Sequence, residues 1–207
     1  MAVVILLLVP ALLWSVRPSA PYAQFFKVGK VWGHVWMRLM GMIPRPESHQ
    51  LKHNGPFVLV ANHASDMDIP LTFTAAPAPV VFIGKAELTK LPLFGYFFKK
   101  TSIPVDRSSR MSGRKAWAAA DEHIKNGGNI CIFPEGKVPE PEWLLSRFKV
   151  GAFKLAVENN IPVVVMAIYD NKNRLGHYGG ASSFGLSRTR ILSEEWPNAE
   201  HLDPVKE

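Results

Sequence analysis

Apolar residues recur along this chain in short unbroken blocks, and the breaks between them are rich in polar residues, Gly and Pro. Four blocks are too short for a helix and rich in β-branched residues: "PFVLVAN" (56–62), "PVVFIGK" (79–85), "NICIFPEG" (129–136) and "IPVVVMAIYD" (161–170). Such runs predict strands buried on both faces. Between them lie segments of helical composition. "IPLTFTAAP" (69–77) carries Pro70 near its first turn, where a missing N–H costs little. "KAELTKLPLFGYFFKKT" (85–101) predicts helix in pieces, broken at Pro92 and Gly95. "SGRKAWAAADEHIKNGG" (112–128) ends in a double-Gly stop, and "FKVGAFKLAVENN" (148–160) predicts one more helix. "SIPVDR" (102–107) is a short extended segment. Strands alternating with helices predict an α/β fold: one layered domain, 44–207, with a central mixed sheet flanked by helices. Beyond residue 171 the pattern fades, and "RTRIL" (188–192) predicts at most one further strand. The Pro-rich "IPRPESHQLKHNG" (43–55) reads as a surface loop or linker.

The first 43 residues follow another pattern. "MAVVILLLVPALLWSV" (1–16) is apolar throughout, with Pro10 inside it and no charge before Arg17. It lacks the basic start of a secretory signal and falls short of the ~20 residues needed to span a bilayer. After the polar break "SAPYAQ" comes "FFKVGKVWGHVWMRLMGMI" (25–43), where aromatic residues and Met alternate with Lys27, Lys30 and Arg38. That mixture predicts a helix in the membrane interface, aromatic side toward lipid and cations toward phosphates. Residues 1–43 are therefore expected to be a membrane-associated helical segment, a hairpin dipping into one leaflet.

Composition narrows the partners. The 24 Lys and Arg exceed 17 acids, for a net charge of +7, which fits anionic lipid, a phosphorylated substrate or nucleic acid. The charges form no block and no zinc-finger spacing occurs, so nucleic acid is not expected as a partner. The single cysteine, Cys131, rules out an internal disulfide and reads as a small buried hydrophobe.

The chemistry concentrates where strands end. "FVLVANHASDMDIP" (57–70) runs from an apolar strand straight into Asn62-His63, with Asp66 and Asp68 close behind. A carboxylate bonded to one imidazole nitrogen fixes the tautomer and makes the other nitrogen the base that can take a hydroxyl proton. This is triad logic with the nucleophile supplied by the substrate. On a regular helix His63 and Asp68 would diverge by roughly 140°, whereas Asp66 would face His63. Geometry alone leaves the choice of carboxylate open. A second strand ends in Phe133-Pro134-Glu135-Gly136, and "IPVDR" brings Arg107 to the end of an extended segment. Strand ends of α/β sheets are where ligands bind, and an Arg there can fork onto a phosphate.

Together these elements resemble the glycerophospholipid acyltransferase family. Its first block, N-H-x4-D, matches Asn62, His63 and Asp68. The second matches "GKAEL" (84–88) leading to "IPVDR" (103–107); the third is "FPEG" (133–136), followed by "FKVGAFKLA" (148–156); the fourth is "IPVVVMAI" (161–168). The chain departs after Gly136, where Lys137-Val138-Pro139 and the acidic "EPEW" replace the frequent Thr-Arg-Ser.

The resemblance implies acyl transfer from a thioester, acyl-CoA or acyl-carrier protein, to the hydroxyl of a lysophospholipid, foremost lysophosphatidic acid. It assigns His63 as general base and Asp68 as its orienting partner. Arg107 would hold the acceptor phosphate with Lys85 as helper, Glu135 would bond the glycerol hydroxyls, and amides near Gly136 would serve the oxyanion. No cofactor and no metal are implied, and the spacings show no metal-ligand set beyond the His63–Asp68 pair itself. The expected location is the cytoplasmic face of a membrane, the inner membrane in a bacterium. Three other readings stand beside it: an acyltransferase for another lysolipid, an inactive membrane lipid-binding module with the same fold, and a thioesterase or lipid hydrolase using water as acceptor. The last lacks a Gly-x-Ser-x-Gly nucleophile elbow.

Overall fold

The computed structural model describes residues 2–47, 51–140, 142–177 and 183–197. Two helices, α1 (Ala2–Ser15) and α2 (Tyr22–Leu39), lead into β1 (Met42–Pro46), β2 (Val58–Ala61), α3 (Asp68–Ala75) and β3 (Val80–Lys85). A 3-10 turn (Ala86–Lys90), α4 (Phe94–Thr101), β4 (Ser102–Val105), α5 (Arg110–Lys125) and β5 (Asn129–Ile132) follow. The chain continues with α6 (Gly151–Asn159), β6 (Val163–Ile168), the single turn α7 (Asn171–Arg174) and β7 (Gly185–Glu195).

The strands form one seven-stranded sheet in the order β1-β7-β6-β2-β5-β3-β4. All neighbours are parallel except β6 and β7, so the sheet is mixed, as the pattern predicts. β2 shows why its residues are apolar at every position. Leu59 and Ala61 join the core on one face of the sheet, with Phe26, Phe73 and Met37. Val58 and Val60 join the core on the other, with Ala120, Ile124 and Leu155 of α5 and α6. A strand with helices on both faces has no solvent side to keep polar. Cys131 is wholly buried in β5, and burial pushes its thiol far up.

Helix ends follow local chemistry. The Ser109 hydroxyl accepts the Ser112 amide at 3.2 Å and caps α5; Gly127, at φ +82°, turns the chain out at its other end. The expected break at Pro92 occurs between the 3-10 turn and α4, where Leu93 takes φ +59°. Gly95 instead lies inside α4. A Cβ there would sit 2.3 Å from the Thr89 carbonyl oxygen, so its bareness serves packing rather than termination.

Two further expectations are corrected. Part of the supposed loop 43–55 is strand β1, at the sheet edge beside β7. An edge strand tolerates Pro44 and Pro46, which hide it from sequence patterning. The faded C-terminal region holds the longest strand, β7, inserted between β1 and β6 with a bulge near Val165/Met166. Its charged residues alternate with buried Ser187, Thr189 and Ile191, so it reads as polar.

The helical hairpin forms, and its docking differs from expectation. Phe25, Phe26, Gly29, Gly33 and Met37 of α2 are buried against the domain, so the aromatic side faces the core rather than lipid. Glycines permit the approach: a Cβ on Gly29 would lie 2.6 Å from the Phe73 ring, and one on Gly33 2.5 Å from the Pro70 carbonyl oxygen. The Tyr22 hydroxyl donates to the Val80 carbonyl at 2.8 Å and ties the start of α2 to β3. Each fully buried large side chain is worth up to about 1.5–3 kcal/mol, so α2 is part of the core. The boundary expected between residues 43 and 44 falls inside β1. Among the described residues no helix is long and apolar enough to cross a membrane.

Candidate active site

Four parallel strands, β2, β5, β3 and β4, end at one edge of the sheet, and each delivers one of the chemical blocks there. Just beyond β2, Asn62 continues the ladder with its side chain. Its amide nitrogen donates to the Ile168 carbonyl at 3.0 Å, and its oxygen accepts the Ile168 amide at 2.7 Å. The Asn of the N-H pair is thus a side-chain rung that fixes where the chain leaves the sheet.

His63 follows on the turn. Its Nδ1 lies 2.9 Å from Asp68 Oδ2. The chain bends between them, with the Asp68 amide bonding back to the Ser65 carbonyl at 3.1 Å, and α3 starts only at Asp68. That bend settles the question geometry left open. Asp66 points away: it is 75 % exposed and pairs with His177 at 3.0 Å. Asp68 is fully buried, and its Oδ2 also accepts the amides of Ala64 (2.6 Å) and Ser65 (2.8 Å). Asp68 Oδ1 accepts the Asn171 side-chain amide at 2.7 Å. Besides His63, three N–H donors thus meet this side chain, which as a carboxylate only accepts. A bond to that acceptor is donated by Nδ1–H, which in the neutral imidazole leaves a lone pair on Nε2. No described residue bonds Nε2, and the ring is 17 % exposed, stacked on Phe133 with centroids 4.4 Å apart.

Glu135 makes structural contacts beside the task expected of it. It is 3 % exposed, and each oxygen is already engaged: Oε1 accepts the His63 amide at 2.7 Å and Oε2 the Ser146 amide at 2.6 Å. It clamps the His63 turn to the loop after β5. Gly136, at φ +74°, closes a turn by donating its amide to the Phe133 carbonyl at 3.0 Å, so that amide is not free for an oxyanion. A side chain at 136 would also meet Lys149 Nζ at 2.9 Å.

Lys85 and Arg107 reach the same edge without touching His63, Asp68 or Glu135. Lys85 ends β3 and pairs with Glu87 at 3.6 Å, both well exposed. Arg107 lies two residues past β4, exposed, with Glu87 the nearby carboxylate. At about 4.8 Å per strand, the β4 end stands roughly 14 Å from β2. Among the described residues no group of three or more His, Cys, Asp or Glu could hold a metal ion.

An apolar cavity of about 550 Å3 lies between α2, α3, β3 and α4, lined by Trp32, Trp36, Phe73, Phe94 and Phe98, with Asp66 and Met67 of the His63 turn at its wall. That size is ordinary for a small-molecule site.

Sequence reasoning missed Asn171, and with it Ser187, whose hydroxyl donates to Asn171 Oδ1. A signal existed. "IPVVVMAIYDN" ends an apolar strand in Asp170-Asn171 just as "FVLVANH" ends one in Asn62-His63, and β6 lies next to β2.

The acyltransferase family model matches residues 45–169. The chain is 29 % identical to the 1-acyl-sn-glycerol-3-phosphate acyltransferase of Salmonella typhimurium over 58 % of this chain and 50 % of that one. It is 31 % identical to the enzyme so named from Cocos nucifera over 72 % and 49 %. A lyso-ornithine lipid O-acyltransferase of Pseudomonas aeruginosa is 34 % identical over 55 % and 43 %. The chain thus spans about half the length of these relatives. The crystal structure of the 1-acyl-sn-glycerophosphate (LPA) acyltransferase PlsC from Thermotoga maritima superposes with a TM-score of 0.76 at 23 % identity, covering 94 % of this chain and 80 % of that one. The strand-end blocks and a family match over more than half of the residues lead to one conclusion: the chain belongs to the acyltransferase family.

Proposed function

We propose that the protein moves a fatty acyl group from a thioester to the free hydroxyl of a lysophospholipid, with lysophosphatidic acid as acceptor and phosphatidic acid as product. One observation carries the reading: buried Asp68 holds His63 through Nδ1, leaving Nε2 unbonded by any described residue at the sheet edge. Nε2 takes the acceptor's hydroxyl proton as the oxygen bonds to the thioester carbonyl carbon. The tetrahedral intermediate then collapses, the C–S bond breaks, and the leaving thiolate takes the proton back from His63. No acyl-enzyme is needed, and Cys131 stays in the core. Glu135 keeps the His63 turn in place. Arg107, with Lys85 as helper, grips the acceptor phosphate by charge. The apolar cavity houses an acyl chain. The donor, acyl-CoA or acyl-carrier protein, is a co-substrate, and no cofactor is required.

The lipid acceptor places the enzyme on a membrane, at the cytoplasmic face where soluble thioesters are available. Residues 1–43 form its attachment. Leu6, Leu7, Leu13 and Trp14 of α1 and Val31, Val35 and Leu39 of α2 are exposed, which suits insertion into one leaflet. The loop after β5 adds exposed Trp143, Leu144 and Phe148 beside Arg147 and Lys149.

A second reading, acylation of a lysolipid without a terminal phosphate, is favoured by the similarity to the lyso-ornithine lipid enzyme and by the altered residues after Gly136. Purified protein in detergent, offered a panel of lysolipids with acyl-CoA and with acyl-carrier protein, decides. Acylation of lysophosphatidic acid is expected. Acylation of phosphate-free lysolipids alone would establish the second reading, and no transfer at all would leave a lipid-binding module.

A further inference from the structure

Asp68 meets His63 with one oxygen and a distant part of the chain with the other. Oδ1 accepts the side-chain amide of Asn171, 103 residues on, at 2.7 Å. Asn171 and Ser187 are both fully buried, and the Ser187 hydroxyl donates to Asn171 Oδ1. These contacts leave the amide one orientation. A carboxylate only accepts, so the side facing Asp68 must be nitrogen; a hydroxyl donor on the other side requires oxygen.

The surrounding backbone fixes the same arrangement. Asp170 accepts the amide, Nε and Nη2 of Arg188 at 2.9, 2.8 and 2.8 Å, which pins the start of α7 to β7. Tyr169 and Arg188 share a backbone bond at 3.1 Å. The Ser65 hydroxyl donates to the Leu175 carbonyl, joining the far end of α7 to the His63 turn. A chain of buried bonds therefore runs from Ser187 on β7 through Asn171 and Asp68 to His63.

We propose that Asn171, oriented by Ser187, is a positioning residue for acyl transfer. By occupying Oδ1 it stops the Asp68 carboxylate from rotating and keeps Oδ2 in line with His63 Nδ1. Without it a buried carboxylate oxygen has no partner, and rotation that shares the Ala64 and Ser65 amides between both oxygens loosens the bond to His63. The inference rests on the His63–Asp68 chemistry proposed above.

The test is steady-state kinetics in detergent with lysophosphatidic acid and an acyl thioester. Asn171→Ala is expected to lower kcat about 10–100-fold, the usual consequence of losing a hydrogen bond to a charged group, with KM for both substrates within about twofold and an unchanged circular-dichroism spectrum. Ser187→Ala leaves Asn171 in place but frees its amide; the expected signature is the same and smaller, about 3–10-fold in kcat. It decides alone if Asn171→Ala does not fold. The double variant Asn171→Ala/Asp68→Asn separates positioning from structure. A residue acting through Asp68 adds no loss beyond Asp68→Asn, within about threefold, whereas independent effects multiply. If Asp68→Asn is crippled while folded Asn171→Ala and Ser187→Ala both stay within twofold of wild type, the inference is overturned and the dyad stands. Multiplying losses, or a raised KM with unchanged kcat, also overturn it. Wild-type turnover in Asp68→Asn overturns the dyad itself and the inference with it.

Discussion

At His63 the deciding contact is the 2.9 Å bond to Asp68, made possible by a turn that delays α3 until the carboxylate itself. Asp68→Asn is therefore expected to cripple turnover, since an amide cannot both accept from His63 Nδ1 and replace the buried charge. Asp66→Asn should be mild, because Asp66 faces solvent and His177; kcat for the two variants side by side checks the assignment, and the reverse order refutes it. Arg107→Ala should raise KM for lysophosphatidic acid about 10–100-fold and change kcat less, because a lost charged hydrogen bond acts on binding. Lys at 107 should rescue only partly, lacking the fork. An unchanged KM would take Arg107 out of the site. The residue types at the strand ends were legible in sequence, but their partners were not. Glu135 reads as a ligand-facing acid, yet amides from two loops claim both oxygens. Asn171 is legible only once β6 is known to lie beside β2.

Among the elements, the uninterrupted strands were plain because burial on both faces forces apolar residues at every position. β1 and β7 were obscured, one by edge prolines and the other by alternation with Arg and Glu. The docking of α2 was the costliest misreading, since its Phe and Met face suits a core and a lipid phase equally. Its glycines are the better guide. Gly33→Ala should destabilise the fold by about 1–3 kcal/mol, as overpacking against the Pro70 backbone outweighs the gain in helix propensity. Chemical denaturation measures it, and a stabilised variant would mean that α2 does not pack here. The Asp170–Arg188 clamp supplies a pH signature. Hydrogen bonds from Arg188 hold the Asp170 carboxyl below the usual range. Its stabilisation is thus present above the unfolded pKa of about 3.9 and is lost as pH falls through the lowered folded value. The stability gap between wild type and Asp170→Asn should be constant from pH 5 to 8 and close below about pH 4; a gap that widens in acid contradicts the clamp.

For the molecule as a whole, the proposed membrane attachment would give the hairpin a second job: α2 closes the core while α1 offers apolar side chains outward. Deleting both helices would unfold the domain, so membrane binding is better tested at exposed positions. Replacing Leu6, Leu7 and Leu13 with Gln should leave the fold and the turnover of a short-chain soluble lysolipid intact while releasing the protein from anionic vesicles. On that proposal each inserted leucine would contribute about 1.5–3 kcal/mol, against about 1 kcal/mol per cation near the surface. Salt at 1 M should therefore strip the wild type only partly, and complete release would make the attachment electrostatic.

The central claim is that the lone pair of His63 Nε2 takes the acceptor's proton. It is tested most directly by the rate of His63→Ala on lysophosphatidic acid and an acyl thioester, with folding followed by circular dichroism. A general base typically contributes about 10²–10⁴-fold, so turnover should fall by at least 100-fold in a folded protein. Turnover within threefold of wild type would contradict the mechanism.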